Sequence, residues 1–150
     1  MNEGVCSLMT LVRDAMIQVE PLSPNDPIFM ALQSMRTQGT PFVPVVRSDG
    51  TLYGLVTEGD LIRLIYRATR ERSESVPHWI RGAGRHVLMV QSLREVVTRE
   101  LDTIGPDSPL EEAAELMVQT HRKVLPVLVD GRPVGYLLRS AVVDRLIGEQ

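Results

Sequence analysis

The chain has 150 residues, 43% of them hydrophobic and 23% charged, the balance of a soluble globular protein with enough apolar material for one ordinary core. A net charge of −3 excludes a general nucleic-acid binder, which needs a clustered basic surface to displace counterions, and leaves room only for a small local basic pocket. Cys6 is the single cysteine, so an internal disulfide is excluded and a cysteine-based zinc site lacks partners.

The amino terminus, Met1-Asn2-Glu3-Gly4, has no basic segment leading into an apolar stretch, and no run approaches the length of a bilayer span. A cytoplasmic protein without membrane or nucleic-acid partners is expected. Ile17-Gln18-Val19 reads as a short extended piece. Ile28, Ala31, Leu32 and Met35 then fall at i, i+3, i+4 and i+7, the spacing that puts one apolar stripe on a helix. Asp26 is expected to cap that helix, with Pro27 at its first position.

Phe42 to Val46 and Leu52 to Val56 are short and rich in β-formers, and Asp49-Gly50 between them signals a hairpin. Pro44 lacks an N–H, which confines its strand to an edge or a bulge. A helix is predicted from Asp60 to about Arg70, with Leu61, Leu64 and Ile65 on its apolar side. The charged stretch Arg67 to Ser75 continues this helix and frays into a linker that Pro77 ends. Trp79, the sole tryptophan, reads as a flap packed on its own domain rather than a partner anchor. Gly82-Ala83-Gly84-Arg85 loosens the linker, and His86 to Leu93 reads equally as a helix or an extended lead-in.

From there the chain says nearly the same thing again. Leu101 to Ile104 is extended, and Leu110, Ala113, Ala114 and Met117 repeat the helical stripe behind Ser108-Pro109, where Glu111 is placed to close a capping box with Ser108. Val124 to Val129 and Val134 to Leu138 flank Asp130-Gly131 as a second hairpin, and Ser140 to about Ile147 forms the last helix, carrying Val142, Val143 and Leu146. Asp26-Pro27 and Ser108-Pro109 lie 82 residues apart, as do Pro44-Val45 and Pro126-Val127; one deleted residue reduces the offset to 81 after the turn. Two such units in a chain of this length share a core.

Gly39, Pro44-Val45, Asp49-Gly50 and Gly54-Leu55-Val56-Thr57-Glu58-Gly59-Asp60, in this order of elements and repeated in part, resemble a CBS domain, the module named after cystathionine β-synthase. Two in tandem resemble a CBS pair, or Bateman module. The linear boundaries are a first repeat with its lead-in over 1–66, a connector over 67–92 and a second repeat over 93–150. The resemblance implies an α/β (α+β) fold of two pseudo-symmetric units, each strand, helix, hairpin, helix, with sheets packed together and helices outside.

The resemblance further implies a non-catalytic sensor with no required cofactor, binding AMP, ADP, ATP or S-adenosylmethionine between its repeats. It implies a homodimer through the helices after Asp60 and Ser140, acting on a regulated protein that no residue identifies. The ligand residues it implies are Thr57 and Asp60, with Gly39, Thr40, Phe42 and Pro44 beside them. A carboxylate at Asp60 suits the two hydroxyls of a ribose; equally, Thr57 and Asp60 suit a helix cap. The second copy has Leu138 and Ala141 at these positions, so one competent and one degenerate cleft are expected. His121-Arg122 resembles the His-Arg pair that lines phosphates in the γ subunit of AMP-activated protein kinase; its alternative is a basic loop favoured by a helix dipole. No paired histidine spacing, Walker loop or nucleophile elbow supports a metal site or an enzyme. A ligand-free dimerisation or interaction module is the alternative.

Overall fold

The computed structural model describes residues 10–71 and 91–148, with only the backbone of 68–71. The expectations for Cys6, Pro77, Trp79, Gly82 to Arg85 and His86 lie outside the described residues. In chain order the elements are α1 (Val12–Ala15), α2 (Ile28–Gln38), β1 (Phe42–Val46), β2 (Leu52–Thr57), α3 (Glu58–Glu71), a 3-10 turn (Leu93–Glu95), α4 (Leu110–Thr120), β3 (Val124–Val129), β4 (Arg132–Leu138) and α5 (Arg139–Gly148). Mixed helices and two small antiparallel sheets, β1 with β2 and β3 with β4, make up the fold.

These elements divide into two compact units that interleave along the chain. One is Glu20–Glu100; the other joins Met1–Val19 to Leu101–Gln150. The linear boundaries place each lead-in with the repeat that follows it, whereas the contacts place it with the other repeat. Backbone hydrogen bonds supply the reason. In Glu20–Glu100, Thr98 and Leu55 exchange both of their N–H···O bonds, at 2.8 and 3.1 Å, which adds Thr98 to the free edge of β2. In the other unit Ile17 and Tyr136 do the same at 2.8 and 2.9 Å, on the free edge of β4.

Glycine makes that approach possible. A Cβ built on Gly54 stands 2.4 Å from the Thr98 carbonyl oxygen, and one on Gly135 stands 2.5 Å from the Met16 sulfur. At Gly54 the obstacle is backbone, so that sheet could not keep its extra segment in place with a side chain there, whereas at Gly135 it is the flexible Met16 side chain.

The opposite edges are finished by the predicted extended pieces. Leu22 pairs in parallel with Val45, donating to the Pro44 carbonyl and accepting from the Val46 N–H, and Ile104 treats Val127 likewise. The prolines fit because neither Pro44 nor Pro126 is asked for a donor in these bridges, and each strand bulges just beyond, between Val45 and Val46 and between Val127 and Leu128. The deleted residue is visible in the turns. Gly50 alone takes a positive φ (93°) in the first, while Asp130 (54°) and Gly131 (78°) both do in the second, as a tight two-residue turn requires.

The helix starts depart from expectation. Pro27 and Pro109 sit at the N-cap rather than the first helical position, and no side-chain cap forms at either helix. Asp26 instead accepts from the Ser23 N–H at 2.9 Å. The first helical N–H of α2 is satisfied by the Gln91 carbonyl at 3.0 Å and that of α4 by Thr10 at 2.8 Å, so the exchanged segment does the work of the predicted capping box.

The apolar stripes face inward as predicted. Ile28, Ala31 and Met35 pack with Val43, Val45, Val56, Leu61 and Leu93; Leu110, Ala113 and Met117 pack with Val12, Leu125, Val127, Leu137 and Val142. Leu93 and Val12 are fully buried, so each lead-in is core material for the unit it joins. Tyr136 is buried as well, and burial pushes its phenol above the ordinary value.

Gly54→Ala is expected to lose about 1–3 kcal/mol in urea unfolding, because the added methyl meets backbone. Gly135→Ala should lose less, since the Met16 thioether can swing away. Equal losses, or none at Gly54, would contradict the glycine's role.

Candidate functional site

Thr57 ends β2 and Asp60 lies in the first turn of α3, so strand and helix hold the two on one corner. Asp60 is the buried charged residue of the described core, only 5% exposed. Its Oδ2 accepts from the Thr57 N–H at 2.8 Å and the Thr57 hydroxyl at 3.0 Å, while the Asp60 N–H donates to Thr57 Oγ1 at 3.2 Å. These reciprocal bonds form a capping box at the start of α3.

Two further donors reach the same carboxylate. Thr98 Oγ1 lies 3.0 Å from Oδ1 and 3.1 Å from Oδ2, and Arg63, one turn along α3, donates to Oδ1 at 2.5 Å. The Arg63 side chain is 65% exposed, so this ion pair is open to water on one side. Sequence reasoning missed both residues. Thr98 had a signal, because the 81-residue offset that aligns the hairpins places it opposite Ile17, and Ile17 bridges Tyr136 as Thr98 bridges Leu55.

The other unit shows what the fold itself requires at this corner. At the positions of Thr57, Asp60 and Thr98 it carries Leu138, Ala141 and Ile17, three apolar residues, and builds the same sheet and helix. The polar trio is therefore not a condition of folding.

Of the remaining predicted residues, Gly39 takes the left-handed conformation that terminates α2 (φ 68°), and the Thr40 hydroxyl donates to the Phe42 carbonyl at 2.7 Å. Phe42 is fully buried and pairs with Thr57 across the hairpin; Pro44, also buried, pairs with Leu55. These four residues, like Thr57 and Asp60, belong to the unit Glu20–Glu100. His121 and Arg122 belong to the other. His121 replaces Gly39 as the left-handed terminator of α4 (φ 59°), a conformation that favours glycine. Arg122 Nε donates to Asp102 at 2.7 Å, so its charge is already matched. In that same unit a hollow of about 360 Å³ lies against α4, lined by Thr103, Gly105, Ser108, Glu112, Glu115 and Gln119 among others, and includes none of the predicted ligand residues.

Among the described residues no group of three or more histidine, cysteine, aspartate or glutamate side chains is arranged to hold a metal ion, and no helix is long and apolar enough to cross a membrane.

With this geometry in hand, comparison with known proteins places the fold. The CBS domain family profile matches residues 12–67 and 93–148. The chain belongs to the CBS domain family, as a tandem pair, and CBS domains are generally non-catalytic modules, typically regulatory. It is 24% identical to an uncharacterized protein of Methanocaldococcus jannaschii, over 91% of each chain. It superimposes on the CBS domain of a CBS domain-containing membrane protein from Sphaerobacter thermophilus with a TM-score of 0.76 at 23% identity, covering 94% of this chain and 90% of that one. It likewise matches the structure of CBSX2 in complex with AMP, with a TM-score of 0.72 at 23% identity over 93% and 97% of the two chains. At these identities the structures establish the shared fold.

Removing the carboxylate strands the Thr57 N–H and the Thr98 hydroxyl. Asp60→Ala is expected to reduce unfolding free energy by about 1–3 kcal/mol while leaving a single cooperative transition, read by chemical denaturation. A change within error would show that the network adds nothing to the fold.

Proposed function

We propose that the protein is a non-catalytic sensor that binds an adenosine-containing ligand, AMP, ADP, ATP or S-adenosylmethionine, through Thr57 and Asp60, with Gly39 and Thr40 beside them and the buried Phe42 and Pro44 behind them. The observation that carries this reading is the polar trio Thr57, Asp60 and Thr98 in one unit, where its twin makes do with Leu138, Ala141 and Ile17. A buried carboxylate whose counterpart in the other unit is an alanine fits a role beyond the helix cap it forms. The AMP complex of CBSX2, a protein of the same fold, supports the ligand class.

The chemistry is an exchange of donors. Asp60 has its lone pairs occupied, so the two hydroxyls of a ribose bind by replacing weaker partners. Arg63 is the first to yield, because its side chain is mostly exposed and recovers hydration on release. Thr98 is the second. Since Thr98 sits in the segment that completes the β2 edge, a ligand that takes its place on Asp60 binds one arrangement of that segment more tightly than the other. Differential binding of this kind shifts a conformational equilibrium, which is the physical content of sensing. His121 and Arg122 would serve phosphates only if Arg122 leaves Asp102, and they stand as a weaker part of the same proposal.

A second reading is a ligand-free dimerisation or interaction module. The fully satisfied Asp60 favours it, as do the exposed apolar residues Ile62 and Tyr66 on α3 and Val143, Leu146 and Ile147 on α5. In either reading we propose a homodimer in the cytoplasm through these helices, acting on a regulated protein.

Isothermal titration calorimetry with AMP, ADP, ATP and S-adenosylmethionine is expected to show saturable binding to at least one of them, and Asp60→Asn should weaken it by about one to two orders of magnitude. Silence with all four ligands would overturn the sensor reading in favour of the interaction module.

A further inference from the structure

The hairpin end of the unit Glu20–Glu100 carries a concentration of positive charge that the adenosine site does not use. The guanidinium carbons of Arg99, Arg47 and Arg94 lie 3.8, 5.2 and 5.6 Å from the centroid of one ring, that of Tyr53. All three arginines are exposed, and none makes an ion pair among the described residues. Cation–π attraction to the ring face accounts for one such contact readily, but three like charges around one ring also repel each other.

Each guanidinium is nevertheless held. Arg99 Nε donates to the Tyr53 carbonyl at 2.7 Å, Arg94 to Asn25 Oδ1 at 2.8 Å, and Arg47 to Thr51 Oγ1 at 3.1 Å. These bonds restrain each guanidinium, through a terminal nitrogen in Arg47 and Arg94 and through Nε in Arg99, and use only part of its five N–H donors.

The repeated unit again serves as an internal control. Where Arg94 meets Asn25, its counterpart Arg13 pairs with the carboxylate of Asp107. Where Arg99 donates to the Tyr53 carbonyl, Gln18 donates to that of Val134 at 2.8 Å. Where Arg47 stands before the first turn, Val129 stands before the second. In that unit Arg13 is thus paired with an acid and Val134 stands at the ring position, with Asp130 and Arg132 in the turn. In this one Arg94 meets an amide, two further arginines and an aromatic ring join it, and the turn's Asp49 accepts from the Thr51 hydroxyl at 2.7 Å.

We infer that Arg47, Arg94 and Arg99, gathered on Tyr53, form a binding site for a multiply charged phosphate anion, separate from the Thr57 and Asp60 corner. Guanidinium forks match phosphate oxygens in geometry, and a di- or triphosphate group supplies enough negative charge to relieve the repulsion among three of them. The site reads phosphate charge and requires no nucleoside.

Titration of the full chain with inorganic tripolyphosphate, followed by amide chemical shifts, tests this. Saturable shifts confined to the neighbourhoods of residues 47, 53, 94 and 99 are expected. Arg99→Gln should weaken the affinity at least about tenfold. Asn25→Asp, which restores the carboxylate of the other unit on a surface position, should weaken it by a similar factor without affecting the fold. Asp60→Asn should leave it unchanged, so the adenosine reading and this one can fail independently. Absence of saturation, shifts spread over the whole surface, or equal affinity in Arg99→Gln and Asn25→Asp would each overturn the site.

Discussion

The two reciprocal backbone pairs, Thr98 with Leu55 and Ile17 with Tyr136, are the constraint on which the rest of the structure depends. A two-stranded hairpin is marginal alone, and neither β1 with β2 nor β3 with β4 would persist without something on its edges. The chain supplies that something from outside the repeat. Each lead-in finishes the sheet of the repeat it does not precede, satisfies the first N–H of that repeat's helix and contributes Leu93 or Val12 to its core. Gly54 and Gly135 exist in this arrangement as absences of side chain.

That exchange gives the candidate site its third member. Thr98 reaches Asp60 only because the segment leading into the second repeat is laid along β2 of the first. The buried carboxylate is therefore bonded both to the helix it begins and to a segment that belongs elsewhere in sequence. The ligand we propose for Asp60 competes with Thr98, and so acts on the segment that completes the β2 edge. Divergence of the two units follows the same lines: polar against apolar at the Asp60 corner, and Arg47, Arg94 and Arg99 on Tyr53 against Val129, Arg13 and Gln18 at the counterpart positions.

Much of the fold was legible because it is local. The stripe of Ile28, Ala31 and Met35, the Asp49-Gly50 and Asp130-Gly131 turns, and the bulged strands behind Pro44 and Pro126 are set by spacing and backbone chemistry within a few residues. Most of what sequence reasoning misses is long-range. Asp26 and Ser108 looked like caps, yet Gln91 and Thr10 carbonyls take the helical N–H groups from far along the chain. The lead-ins were assigned to the repeats they precede, because nothing in Ile17 or Thr98 alone says which sheet edge it will meet. Thr57 and Asp60 follow from the resemblance to a CBS domain, but Thr98 and the arginines around Tyr53 become a set only once the exchanged segment is in place.

Native-state hydrogen exchange tests that exchange most directly. The amides of Thr98 and Leu55 should open together and as rarely as those at the centre of β1, and the amides of Ile17 and Tyr136 should open with β3. Rapid exchange at Thr98 and Ile17 while β1 and β3 stay protected would show that the lead-ins are not part of the sheets, and would contradict the account of both the fold and the site.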